Sequence, residues 1–126
     1  MKDKKNMSLN VLVVDDSSFM RSLLTKIFKK SPNIDGVIEA IDGQSAIDQY
    51  QKERPSLVTM DIDMPGMNGL DAARKIKSID PNAKIVMVTS ANKPEMRNEA
   101  EKIGTVGYIT KPFDAEKINE VINALA

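Results

Sequence analysis

The chain has 126 residues, 41% hydrophobic and 29% charged, the size and make-up of one globular domain able to bury its own core. It has no Cys and no His, which excludes disulfides, thiolate nucleophiles, Cys-ligated metal centres and imidazole acid–base chemistry. Lys plus Arg and Asp plus Glu both number 18, and a formal net charge of zero offers no global attraction to nucleic acid or to an anionic membrane.

Residues 1–8 open with a Lys-rich stretch, Met1 to Asn6, and read as a short solvated tail; residues 9–126 read as one domain. No apolar run follows the tail at signal-peptide position or reaches membrane-spanning length, so a cytoplasmic protein is expected. Asn10–Val14 is an unbroken apolar run, the pattern of a strand covered on both faces. From Ser17 to Lys30, Phe19, Met20, Leu23, Leu24, Ile27 and Phe28 recur at helical spacing, with Asp16 or Ser17 as N-cap and Ser31-Pro32-Asn33 as stop. A second strand is expected over Gly36–Ile41, then a helix carrying Ala46, Ile47 and Tyr50 that ends at Pro55.

Ser56–Met60 is a third strand, and Met64–Gly69, with its Pro and Gly residues, is a loop. Leu70, Ala73, Ile76 and Ile79 form the next helical stripe, closed by Asp80-Pro81. Lys84–Val88 is a fourth strand, Pro94 opens a helix with Met96, Ala100 and Ile103, and Val106–Ile109 is a fifth strand. Asp114 caps a last helix bearing Ile118, Val121, Ile122 and Leu125.

Five strands alternating with five helices over short connections require a parallel sheet with right-handed crossovers. The expected fold is therefore α/β, a doubly wound (βα)5 sheet, for which the flavodoxin-like order 2-1-3-4-5 suits this length. Ligands of such sheets bind outside the carboxyl ends of the strands. There the chain places Asp15 and Asp16, Asp61 and Asp63, Thr89 and Ser90, and Thr110 and Lys111, while Asp42 falls at the outer edge. Packed carboxylates repel one another and raise one another's pKa unless a cation joins them. With only oxygen donors the fitting ion is hard, Mg²⁺ before Ca²⁺. A metal and a lysine beside a carboxylate, which can itself be a nucleophile, resemble the apparatus of phosphoryl transfer.

Val13 to Ser17, Met60 to Gly69, Val88 to Ala91 and Tyr108 to Phe113 resemble the receiver domain of two-component response regulators. The stretch Asp15 to Leu24, with no output domain behind it, is most similar to the stand-alone chemotaxis members. The resemblance implies that Asp61 is the phosphoacceptor, taking the phosphoryl group of a phospho-His on a chemotaxis-type histidine kinase. It implies Mg²⁺, with Mn²⁺ as a substitute, held by Asp16, Asp61 and the backbone carbonyl of Asp63, and by Asp15 through water. Thr89 is then the switch hydroxyl, Lys111 the partner of the phosphoryl group, Tyr108 the aromatic rotor that turns inward when Thr89 moves, and Lys111-Pro112 a cis bond. Asp63, and Ala91 beyond Ser90, depart from the commonest pattern at positions that tune dephosphorylation.

The implied protein is a switch rather than an enzyme with its own substrate. Its phosphorylation alters a surface of the fourth helix, fifth strand and fifth helix that binds a motor, switch or adaptor protein, with no role for nucleic acid or membrane. The last helix lacks the arginines used for dimerisation by receivers of transcription factors, so a monomer is expected. A relay receiver, or one excised from a larger regulator such as a methylesterase, remains an alternative. Asp61-x-Asp63 is also similar to the nucleophile pair of haloacid-dehalogenase-type phosphatases, but there the pair follows the first strand rather than the third. Flavodoxin, with the same strand order, fits poorly because no Ser/Thr/Gly-rich phosphate loop follows the first strand.

Overall fold

A computed structural model describes residues 9–125; the tail expected over residues 1–8 lies outside them. The elements run β1 (Leu9–Val14), α1 (Ser18–Lys29), β2 (Ile34–Ala40), α2 (Gly43–Glu53), β3 (Leu57–Met60), α3 (Gly69–Ile79), β4 (Ile85–Thr89), α4 (Pro94–Ile103), β5 (Gly107–Thr110) and α5 (Ala115–Leu125). All strand pairs are parallel, in the order β2-β1-β3-β4-β5. The doubly wound α/β fold expected from the sequence is the fold observed.

Alternate residues of each strand face opposite sides of the sheet, so the core has two halves. Leu12, Val14, Val58, Met60, Ile85 and Met87 pack with Ala46, Tyr50, Ala73, Ile76 and Ala100 on the side of α2, α3 and α4. Val11, Val13, Leu57, Val86 and Val88 pack with Leu24, Phe28, Ile118 and Ile122 beneath α1 and α5. This double cover is why the strands read as unbroken apolar runs. Among the described residues no helix is long and apolar enough to cross a membrane.

Several boundaries move by a residue or two from the expected ones. Ser17, not Asp16, caps α1, its side chain accepting from the Met20 amide at 3.2 Å. Phe19, assigned to the buried stripe by its spacing, is 74% exposed in the first turn of α1. Ile41 falls outside β2 and is exposed, and Val106 precedes β5 and is exposed. Gly69, read as the end of a loop, is the first residue of α3.

Candidate functional site at the carboxyl edge of the sheet

The connections leaving β1, β3, β4 and β5 bring the polar residues to one edge. Asp15 continues from β1, its amide bonded to the Ala40 carbonyl at 3.2 Å, and it is buried. One of its carboxylate oxygens accepts from the Ser17 amide at 2.9 Å, and the other from Lys111 Nζ at 2.7 Å. Asp61 follows β3, tied by its amide to the Val14 carbonyl at 3.1 Å, and is 5% exposed. Its Oδ2 lies 3.6 Å from the same ammonium. Lys111 is itself held to β4, its amide donating to the Thr89 carbonyl at 2.9 Å, and the bond to Pro112 is cis.

Asp15, Asp16 and Asp61 each present a carboxylate oxygen within 4.8 Å of the others. Burial pushes the Asp61 carboxyl above its ordinary range and the Asp15 charge pushes the same way. Lys111, the Thr89 hydroxyl and the Ile62 amide pull against both. Three clustered carboxylates share one nearby lysine, and every donor is a hard oxygen. That donor set suits a hard divalent cation of the Mg²⁺ class, which binds through one or two carboxylates and completes its shell with water and phosphate oxygens.

Thr89, the last residue of β4, is fully buried, its Oγ1 accepting from the Ala91 amide at 3.1 Å. Tyr108 of β5 stands farther along, its hydroxyl donating to the Ala91 carbonyl at 2.5 Å. Burial holds its phenol above the usual value; Arg97 pulls it down and Asp63 pushes it up. Asp63 and Ser90 are exposed, and Ala91 is half-buried against the core. Asp42, expected away from the cluster, is bound instead to the start of α2, where it accepts from the Ser45 amide at 2.8 Å.

Three further residues shape this edge without having been legible as site residues. Arg21 of α1 donates to the Asp15 carbonyl at 2.7 Å and pairs with Glu39 of β2 at 3.0 Å, which fixes the backbone behind the carboxylates. Gly69 starts α3 so close to Asp61 that a Cβ there would lie 1.8 Å from the Asp61 carbonyl oxygen. Arg97 of α4 lies over the Tyr108 ring. Only the glycine left a sequence signal, standing in a loop rich in Pro and Gly.

Residues 11–123 match the response regulator receiver domain family. The chain belongs to that family. As a receiver it is 41% identical over 120 residues to the chemotaxis protein CheY of Thermotoga maritima, covering 95% of this chain and 99% of that protein. The response regulator domain of Thermotoga maritima CheB superimposes with a TM-score of 0.87 at 34% identity, covering 94% of this chain and 96% of that one. CheY of Borrelia burgdorferi, solved in complex with CheX, BeF₃ and Mg²⁺, superimposes with a TM-score of 0.87 at 32% identity, over 94% and 90% of the two chains. Receivers of this kind are signalling proteins, and this one carries Asp15, Asp16 and Asp61 as a group that could hold a metal ion.

Proposed function

We propose that the protein is a phosphorylation switch of a two-component system in which Asp61 accepts a phosphoryl group from the phospho-His of a CheA-like histidine kinase in the cytoplasm. The observation that carries this reading is Lys111, whose ammonium bridges buried Asp15 at 2.7 Å and buried Asp61 at 3.6 Å inside a group of three carboxylates. An Asp61 oxygen attacks phosphorus, forming a P–O bond as the P–N bond to the imidazole breaks, and the departing histidine takes up a proton. Asp16, Asp61, the Asp63 carbonyl and, through water, Asp15 would hold Mg²⁺ or, in its place, Mn²⁺. Bound there, the ion supplies positive charge against the phosphoryl oxygens.

Lys111 is already positioned to exchange Asp15 and Asp61 for the incoming phosphoryl group. Thr89 stands at the end of the adjacent strand with its hydroxyl turned into the connection that Tyr108 also grips. The phosphoryl group adds about one and a half to two negative charges and strong acceptor oxygens. Drawing Thr89 and Lys111 toward them shifts the population of the α4–β5–α5 surface, through Tyr108 and the Ser90–Ala91 connection. The likeness to CheY over nearly the whole of both chains favours chemotaxis, with a motor, switch or adaptor protein as the partner of a monomeric receiver. Asp63 and Ala91 then set how water reaches the acyl phosphate.

With acetyl phosphate and Mg²⁺ the protein is expected to become labelled, and Asp61→Asn to remain unlabelled while folded. Undiminished labelling of that variant would remove Asp61 from the role. A pull-down with and without beryllofluoride and Mg²⁺ separates the outputs: a motor or adaptor protein bound only in the activated form supports the chemotaxis reading, and a phosphotransfer protein supports a relay.

A further inference from the structure

We propose that Arg97 is a lock on Tyr108: its guanidinium closes over the ring and holds it against the connection between β4 and α4. The geometry is that of a clip across three elements. Arg97 belongs to α4, and its charged carbon lies 4.5 Å from the centroid of the Tyr108 ring on β5. Nε donates to Asn92 Oδ1 in the β4–α4 connection at 3.3 Å, and an Nη donates to Thr110 Oγ1 of β5 at 3.2 Å. The ring packs on the core, and its hydroxyl is spent on the Ala91 carbonyl. It is therefore fixed by the core, by its hydroxyl and by the cation stacked over it.

Only a planar guanidinium can stack on a ring and hydrogen-bond along its edge at once; an ammonium on a flexible stem can do one or the other. For the ring to swing into solvent, Arg97 must leave the stack and Tyr108 must give up Ala91. The stack is worth roughly a two- to fivefold bias toward the inward ring at an exposed position. Thr110, one of the two anchors of the guanidinium, directly precedes Lys111, which grips Asp15 and Asp61. The lock thus stands next to the phosphoryl site along β5. That Arg97 biases the response to phosphorylation rests on the switch reading; that it holds the ring does not.

The chain has two tyrosines, so 3-fluorotyrosine labelling gives two ¹⁹F resonances. Tyr50, 2% exposed and bonded to Asp80 at 2.6 Å, serves as the internal control. Accessibility is read from relaxation by a soluble gadolinium chelate. Arg97→Ala is expected to raise the response of Tyr108 roughly two- to fivefold with Tyr50 unmoved. Arg97→Lys, which keeps the charge and perturbs the fold least, is expected to fall between. Equal accessibility of Tyr108 in wild type and Arg97→Ala overturns the lock, and wild-type accessibility in Arg97→Lys overturns the requirement for the planar fork.

A titration with beryllofluoride and Mg²⁺, followed by the amide signals of Thr89 and Lys111 with Asp61→Asn as blank, then tests the coupling. Arg97→Ala is expected to need more beryllofluoride for half-response, by a smaller factor than the gain in Tyr108 accessibility, because the inward ring that the phosphoryl mimic selects starts less populated but remains the major state. An unchanged midpoint overturns the coupling. A wild type that gives no response at all overturns the switch reading, while the fluorine measurement without beryllofluoride still decides the lock.

Discussion

The Asp61 carboxyl is held above its ordinary range first by burial and then by Asp15, and Lys111 offsets only part of this because its closer contact is with Asp15. The sign of the pH dependence follows. Near neutral pH the carboxylate is charged in both the native and the unfolded chain, and its burial costs stability. As pH falls through the raised native value the folded protein binds a proton before the unfolded chain does, so stability rises until pH reaches about 3.9, the unperturbed value. Asp61→Asn removes the charge and keeps the shape, and Lys111 retains Asp15. In EDTA at pH 7 the variant is expected to be more stable by about 1 kcal/mol, a rise in Tm of roughly 4 °C, with the advantage shrinking on acidification. Thermal melts of the two proteins between pH 4 and 7 check this; an equal or lower Tm for the variant at pH 7 would contradict the account of the site as a repulsive cluster.

At the scale of elements, the carboxyl ends of the strands are held in place by the helices that start there, most tightly at α3. The Gly69 amide donates to the Ile62 carbonyl at 2.9 Å, and the missing side chain lets the helix rest on the Asp61 carbonyl. Gly69→Ala would put a methyl carbon 1.8 Å from that oxygen, a contact with backbone that no rotamer relieves. It is expected to cost about 3 kcal/mol and to lower Tm by roughly 10 °C, measured by denaturant and thermal unfolding; a loss under 1 kcal/mol would mean that α3 is free to shift. Gly69 also shows where the sequence was legible and where it was not. The strands were readable because covered parallel strands are continuous apolar runs, and the acids because each stands directly after such a run. Phe19 misled because helical spacing records a direction and not where the partner surface stops. Arg21 and Arg97 left no local pattern, since a long side chain finds its partner on another element.

For the molecule as a whole, a formal net charge of zero hides a concentration of like charge at one edge. The parallel sheet assembles that edge: β1 and β3 are neighbours, so the acids that follow them must stand side by side whatever the rest of the surface carries. A cation bound there only in the native state stabilises by mass action, whereas a cation acting through ionic strength stabilises a neutral protein little. Mg²⁺ in tenfold excess over its Kd is expected to add about 1.4 kcal/mol, or roughly 5 °C in Tm, over KCl of equal ionic strength. Asp16→Asn and Asp61→Asn should abolish the increment, since each removes a carboxylate of the group within 4.8 Å. Asp63→Asn should keep it, because a backbone carbonyl survives the substitution. Differential scanning calorimetry of the four proteins with and without Mg²⁺ makes the distinction. An increment that persisted in Asp16→Asn would move the ion elsewhere on the surface, and one lost in Asp63→Asn would show that its side chain, not its carbonyl, is the ligand.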